Sequence, residues 1–408
     1  MARDLLTRGF RKVDFGERAD LYVINTCSVT ENAERKCRKV VRQARRASPD
    51  AFIAVMGCYA QLRPQEISSI PGVDVVVGAD EKFNLPARLG NLEKRSIAQS
   101  HSCDIDQVHT FFPSYSAHER TRAFLKVQDG CDYNCSYCTI PDARGKSRSG
   151  SVFAVMEQAR WLAQTGVREI VLTGVNIGDF GAGSNESLLD LIQSLDKIDS
   201  IDRVRISSIE PNLLTDAIIH FVARSERFVP HFHIPLQSGS NRILSAMRRR
   251  YRADLYRKKV ATIREHLPDC CIGVDVIVGF PGETEADFLE TYELLLEADI
   301  SYLHVFTYSE RPDTKALEIS PIVSKEDRAG RSRILHTLSR QKRESFYERH
   351  CGRTMPILFE EYHNGILSGM TENYIRVKTA GERGMINEIK NVHVLEQRRD
   401  YLIGELIN

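Results

Sequence analysis

Cys131, Cys135 and Cys138 stand in the run Gly130-Cys-Asp-Tyr-Asn-Cys-Ser-Tyr-Cys-Thr-Ile140, directly after the apolar stretch Ala123–Gln128. The chain must therefore fold so that a strand delivers three thiols into one short loop. Thiols gathered this closely mark a metal site, and their number narrows its chemistry. An iron–sulfur cube offers four irons to ligands, so three cysteines leave one iron open. Tyr137 adds an aromatic face beside that open corner. Structural zinc, the alternative, is closed by four Cys or His ligands. His109 and His118 upstream and His220 downstream stand at no zinc-finger spacing, which favours iron and sulfur.

A chain of 408 residues has room for two to three domains. No stretch approaches the roughly 18 apolar residues of a membrane span. The start, Met1-Ala-Arg-Asp4, lacks the apolar segment of a secretory signal. The expectation is a cytoplasmic protein with no membrane contact, whose ten cysteines stay reduced. A net charge of +1 exerts no global pull on nucleic acid. Basic residues nevertheless cluster at Arg35–Arg46, at Arg144, Lys146 and Arg148, and at Arg248–Arg250. Solvated helix faces explain such runs as readily as RNA contact does.

Residues 1–95 alternate helix and strand: a helix over Asp4–Phe10, strands over Leu21–Asn25, Phe52–Met56 and Val73–Val77, and a basic helix over Glu31–Ala47. Strands rich in β-branched residues alternating with helices predict a parallel, doubly wound sheet. Residues 92–118 carry no clean periodicity and read as a connector. From Arg122 the alternation resumes. Strands are expected over Ala123–Gln128, Glu169–Thr173, Val204–Ser207, His231–Pro235, Ile272–Val278 and Tyr302–Phe306, with helices between them. Six β/α units predict a partial barrel with its site at the C-terminal strand ends. A charged helix over Ser324–His350 leads to five short alternating strands separated by Gly and Asn turns, the pattern of a small β-barrel.

Candidate ligand contacts cluster at those strand ends. Gly174 and Asn176 follow the second barrel strand, where backbone groups can meet an amino group. Ser207 and Glu210 end the third, with Glu210 able to accept from a ribose hydroxyl. His233 and Gln237 bracket the end of the fourth. Gly279 ends the fifth, where a glycine permits close approach of an adenine. Cys27 and Cys58 follow strands of the N-terminal sheet, whose C-terminal ends share one ligand-binding edge. With strands about 4.8 Å apart, the two thiols converge on a second metal site. Cys37 lies too far along its helix to join them, Cys103 sits in the connector, and Cys270 and Cys271 begin a strand as core residues.

These residues resemble those of the radical S-adenosylmethionine (SAM) methylthiotransferases along almost the whole chain. The segments Lys126-Val-Gln-Asp-Gly-Cys131, Leu172-Thr-Gly-Val-Asn-Ile-Gly178 and Ile206-Ser-Ser-Ile-Glu-Pro211 look most like the branch acting on threonylcarbamoyladenosine in tRNA. The resemblance implies an α/β protein: a truncated doubly wound N-terminal domain (1–95) holding an auxiliary cluster, a linker (96–120), a radical SAM partial (β/α)6 barrel (121–345) and a small C-terminal β-barrel, the TRAM domain (346–408). It implies two [4Fe–4S] clusters, one on Cys131, Cys135 and Cys138 and one using Cys27 and Cys58, with SAM held by Tyr137, Gly174, Asn176, Ser207, Glu210, His233, Gln237 and Gly279. The implied reaction is methylthio transfer to C2 of the modified adenine next to the tRNA anticodon. Isopentenyladenosine or a ribosomal protein side chain is the alternative target, and SAM cleavage alone the alternative activity. The implied partners are the tRNA anticodon stem-loop, a flavodoxin-like or ferredoxin-like electron donor and a sulfur donor. Lys378, Arg383, Arg398 and Arg399 would serve the tRNA backbone. In the family a first auxiliary cysteine ends an initial strand ahead of the first helix. This sequence opens at that helix, so the expectation is an auxiliary cluster with two of its three ligands.

Overall fold

The computed structural model describes residues 1–28, 31–116 and 121–407. His118 and part of the expected linker lie outside them. The chain forms two compact units: one comprises residues 1–110, 130–146 and 309–317, the other 111–129, 147–308 and 318–408.

In the first unit four parallel strands, Leu21–Thr26, Phe52–Gly57, Val75–Val77 and Gln99–His101, pair in chain order. The fourth falls in the segment that reads as a connector. Three residues bearing Gln, Ser and His carry no strand signal, and pairing to Val75–Val77 alone makes them one. Successive side chains point to opposite faces. Ile53, Val55 and Val76 pack with Val41 and Ala44 of the helix Glu31–Ala47, while Phe52, Ala54 and Val75 pack with Leu85 and Leu5 on the other face. Covering both faces removes the apolar strands from water, as a parallel sheet requires.

In the second unit the six expected strands form a parallel series: Arg122–Lys126, Glu169–Thr173, Arg203–Ile206, His231–His233, Cys271–Val278 and Tyr302–Thr307. The bridges Val204↔Phe228 and Ser208↔His233 join the third strand to the fourth. Outward residues such as Ile170, Leu172, Val204 and Phe232 build one core with the surrounding helices. Five strands from Thr354–His363 to Leu402–Leu406 close into the small barrel around Ile357, Phe359, Val377 and Val394. The first residues of the large-barrel strands fasten it. Arg203 donates to the carbonyls of Met370 and Pro356 at 3.0 and 2.9 Å, and Arg122 pairs with Glu360 at 2.5 Å. The small barrel thus covers the N-terminal strand ends and leaves the C-terminal ends for chemistry.

Candidate active site

Within the first unit the cysteine loop is shaped by its own backbone. Gly130 has φ +72°, and a Cβ there would lie 2.0 Å from the carbonyl oxygen of Lys146, so only glycine lets the returning chain pass. The Cys131 amide donates to the Gly145 carbonyl at 3.0 Å, and the Ala316 amide ties down the Ser136 carbonyl at 2.8 Å. Two further amides aim at sulfur: Tyr133 N–H at Cys131 Sγ and Ile140 N–H at Cys138 Sγ, each 3.4 Å. Amides directed at sulfur stabilise thiolate ligands and tune a cluster's potential. Tyr137 is half-buried in the same loop.

Cys27 and Cys58 follow register-paired ends, since Thr26 is the partner of Gly57. Gly57 has φ +106°, and a Cβ there would meet the Thr26 carbonyl at 2.4 Å, so glycine is again required for the strands to stay adjacent. Cys27 is exposed, and the chain after it is pinned by Arg311, which donates to Ser28 Oγ at 3.1 Å and pairs with Glu34. Cys58 opens the short helix Cys58–Leu62, which packs against the helix Ile140–Arg144 that follows the cysteine loop. Arg144 Nε donates to Cys58 Sγ at 3.3 Å. Sequence reasoning missed this contact and read Arg144 as part of a basic run. Cys37 lies in the sheet core, where burial pushes its thiol up to about 11. Burial likewise raises the thiols of Cys103, Cys270 and Cys271, the last to about 12. None of these four offers a ready thiolate.

Within the second unit the expected contact residues stand at the C-terminal strand ends. Gln128 Oε1 accepts from the amides of Val175 and Asn176 at 2.8 Å each, and its Nε2 donates to Ser147 Oγ at 2.9 Å. Gly174 must be small because a Cβ would lie 2.9 Å from Gln128 Oε1. Asn176 is 3% exposed; its Nδ2 donates to Asp179 at 2.6 Å, while its Oδ1 is buried with no partner. Ser207 Oγ and Gln237 Oε1 are likewise buried without partners among the described residues, and Gln237 holds a φ of +66°. A non-glycine residue in that region is strained and signals a positional demand. Gly279, with φ +72°, donates to Glu283 at 2.6 Å.

Two expected contacts are already engaged. Glu210 pairs with Arg249; burial raises its carboxyl more strongly than that guanidinium lowers it. His233 bonds Ser208 Oγ through Nδ1 and Asp275 Oδ1 through Nε2 at 2.9 Å, and His304 Nδ1 stands 3.4 Å from the same oxygen. Burial acts to raise the Asp275 carboxyl, but the hydrogen bonds from both imidazoles hold it at about 2. Asp275 and His304 carry no sequence signal of their own. Register places them opposite each other on neighbouring strands, with His233 opposite Gly273.

Residues 125–295 match the radical SAM superfamily model, and residues 1–78 match uncharacterized protein family UPF0004. The chain is 41% identical to the threonylcarbamoyladenosine tRNA methylthiotransferase MtaB of Aquifex aeolicus, over 92% of this chain and 91% of that protein. It belongs to the MtaB family of radical SAM methylthiotransferases. The MtaB of Bacillus subtilis is 37% identical over 98% of this chain and 90% of its own length. The tRNA-2-methylthio-N(6)-dimethylallyladenosine synthase of Jannaschia sp. is 34% identical over 100% and 90%. Among solved structures, the radical SAM methyltransferase TsrM from Kitasatospora setae shares the fold, with a TM-score of 0.54 at 16% identity over 74% of this chain and 67% of that one. As a radical SAM enzyme of the MtaB family, the chain uses SAM and [4Fe–4S] clusters.

The residues present fit SAM and the cluster on Cys131, Cys135 and Cys138. Three thiols in one loop with amides aimed at two of them suit a cube with an open iron. Unpartnered buried oxygens on Asn176, Ser207 and Gln237 suit a ligand rich in donors. SAM, with its ammonium and ribose hydroxyls, is such a ligand. No helix is long and apolar enough to cross a membrane among the described residues.

Proposed function

We propose that this chain transfers a methylthio group to C2 of N6-threonylcarbamoyladenosine beside the anticodon of tRNA. The observation that carries the reading is the set of three buried oxygens without partners on Asn176, Ser207 and Gln237, at the ends of the second, third and fourth barrel strands. A buried polar atom left unmatched costs about 1–3 kcal/mol. A ligand that supplies the missing donors offsets that cost, so these three residues are assigned to SAM, with Gly174 and Gly279 giving close backbone approach. Cys131, Cys135 and Cys138 would hold the cluster that, with SAM, would supply radical chemistry for the unacidic C2 hydrogen, and the auxiliary cluster would supply the sulfur. Gln128 holds the Gly174–Asn176 turn in shape, and Ser208 and Asp275 fix the His233 ring toward the strand ends. Cys27 and Cys58 are assigned to the auxiliary cluster, with Arg144 as the positioning residue for Cys58. A flavodoxin-like or ferredoxin-like electron donor and a separate sulfur donor complete the system, in the cytoplasm where tRNA is modified.

The threonylcarbamoyl target is preferred over dimethylallyladenosine because identity reaches 41% with MtaB against 36% with a dimethylallyl synthase. Mass spectrometry of tRNA nucleosides, from a host lacking its own methylthiotransferases and expressing this chain, tests the proposal. The expected product is 2-methylthio-N6-threonylcarbamoyladenosine. A methylthio group on dimethylallyladenosine instead overturns the branch, and unthiolated nucleosides overturn the activity.

A further inference from the structure

Among the described residues the last barrel strand, Tyr302–Thr307, pairs on one side only, with Cys271–Val278. Along its other side runs the helix Lys325–Glu348, stitched to it by Ser339, whose hydroxyl accepts from the Leu303 amide and donates to the Leu303 carbonyl, both at 2.9 Å. Between strand, helix and the loop at Arg399 of the small barrel lies a groove of about 540 Å³. His304, Phe306, His336, Arg340, Arg343 and Arg399 line it. Phe306 is 45% exposed, an apolar ring left in water on an edge strand. Arg343 pairs with Asp400 at 3.8 Å, the one carboxylate in the lining. Arg340 and Arg399 have no carboxylate within ion-pair distance among the described residues.

We infer that this groove is a docking site for the single-stranded anticodon loop, with Arg340 and Arg399 on phosphates and Phe306 as a stacking platform for one base. The inference rests on the tRNA reading above and adds to it a place on the molecule. Its warrant is charge and shape. Three guanidiniums against one carboxylate favour a polyanion, and single-stranded nucleic acid is bound by cations that track the backbone and aromatics that stack bases. The groove belongs to an unpaired strand edge, and it joins the large barrel to the small one within a single compact unit. An RNA loop has unstacked bases that can reach such a ring, which a duplex does not.

The test is fluorescence anisotropy with the iron-loaded enzyme and a labelled anticodon stem-loop, prepared with and without the threonylcarbamoyl group. The double variant Arg340→Gln/Arg399→Gln is expected to bind both RNAs about tenfold more weakly. Its slope of log affinity against log salt should fall by about 1.4, as two single-strand phosphate contacts require. Phe306→Ala should also lose about tenfold, and Phe306→Trp should retain binding. Arg42→Gln, on the helix Glu31–Ala47 of the other unit, is the control and should change nothing; SAM binding and Tm should hold in every variant.

The inference falls if the double variant and Phe306→Ala bind like the unaltered enzyme, or if Arg42→Gln costs as much. Loss confined to the threonylcarbamoyl RNA also sinks it, because the contact is then to the threonyl carboxylate. If the unaltered enzyme neither binds nor modifies tRNA, the proposed function fails and this site with it. If it makes product while the variants bind normally, only this site fails.

Discussion

Arg144 donates its Nε–H to the sulfur of Cys58 at 3.3 Å, joining the helix behind the three-cysteine loop to the thiol that ends a strand of the N-terminal sheet. A hydrogen bond to the sulfur fixes the orientation that a metal ligand requires. The contact also gives a basic residue of the loop segment an inward task. Arg249, of another basic run, turns inward onto Glu210 in the same way.

Arg144→Ala should therefore weaken the auxiliary site selectively. Partners that orient a metal ligand are worth 10–100-fold in metal affinity or activity, so methylthio product should fall about tenfold or more. SAM cleavage, assigned to the cluster on Cys131, Cys135 and Cys138, should persist. Iron and labile-sulfide content together with 5′-deoxyadenosine formation separate the two. Equal loss of both activities would refute the assignment.

Ser207→Ala should move stability and binding in opposite directions. Removing a buried hydroxyl without a partner relieves a penalty, so Tm should rise by about 2 °C. SAM affinity should drop roughly tenfold if that hydroxyl meets the ligand. Calorimetric titration with SAM beside thermal melting reads both. A lowered Tm with unchanged affinity would show that the oxygen serves the fold.

Thiol reactivity should divide the cysteines by burial. With its thiol pushed up to about 11, Cys37 is thiolate in only about one molecule in a thousand at pH 8. Cys271, at about 12, is less still, while Cys27 is exposed. Brief iodoacetamide treatment of the iron-free protein, followed by peptide mass spectrometry, should label Cys27 and spare Cys37 and Cys271. Early labelling of Cys37 would contradict its place in the sheet core.

Asp275 makes an acid-sensitive contribution. Its carboxyl is held at about 2 against a usual value of 3.8, so the stabilisation is fully present above about pH 4 and fades toward pH 2 as the group protonates. The shift corresponds to about 2 kcal/mol. Asp275→Asn should be less stable by about that amount in urea at pH 7, and the gap should narrow at pH 3. A gap that stays constant would mean that the imidazole contacts do not hold the charge.

Two glycines with positive φ should respond differently to alanine. Gly130→Ala drives a Cβ into the Lys146 carbonyl at 2.0 Å, whereas a Cβ at Gly166, with φ +83°, meets nothing within 4 Å. The first should cost roughly 2–4 kcal/mol and lower iron loading. The second should cost only about 1 kcal/mol, with iron unchanged. Urea melts and iron content would decide, and equal costs would remove the steric argument.

Much of this protein was readable along the chain because the relevant signals are local. Alternation of apolar strands and helices located all six barrel strands, and a C-x3-C-x2-C loop carries its own chemistry within eight residues. The placement of Cys27 and Cys58 side by side followed from one rule about strand ends, and the Thr26↔Gly57 pairing matches it. The strand Gln99–His101 was invisible because its residues have no strand preference and only a neighbour's open edge orders them.

By itself the sequence determined most of the elements, the three-thiol loop and the strand ends at which the candidate side chains stand, since each depends on residues close together in the chain. Only the tertiary structure decided who meets whom. Arg144 reaches Cys58 from 86 positions away, Glu210 is met by Arg249 from 39, and Asp275 gathers His233 and His304 from flanking strands. It likewise left oxygens of Asn176, Ser207 and Gln237 without partners. Such contacts depend on register and on how the sheets close, and these are properties of packing that no single stretch of chain encodes.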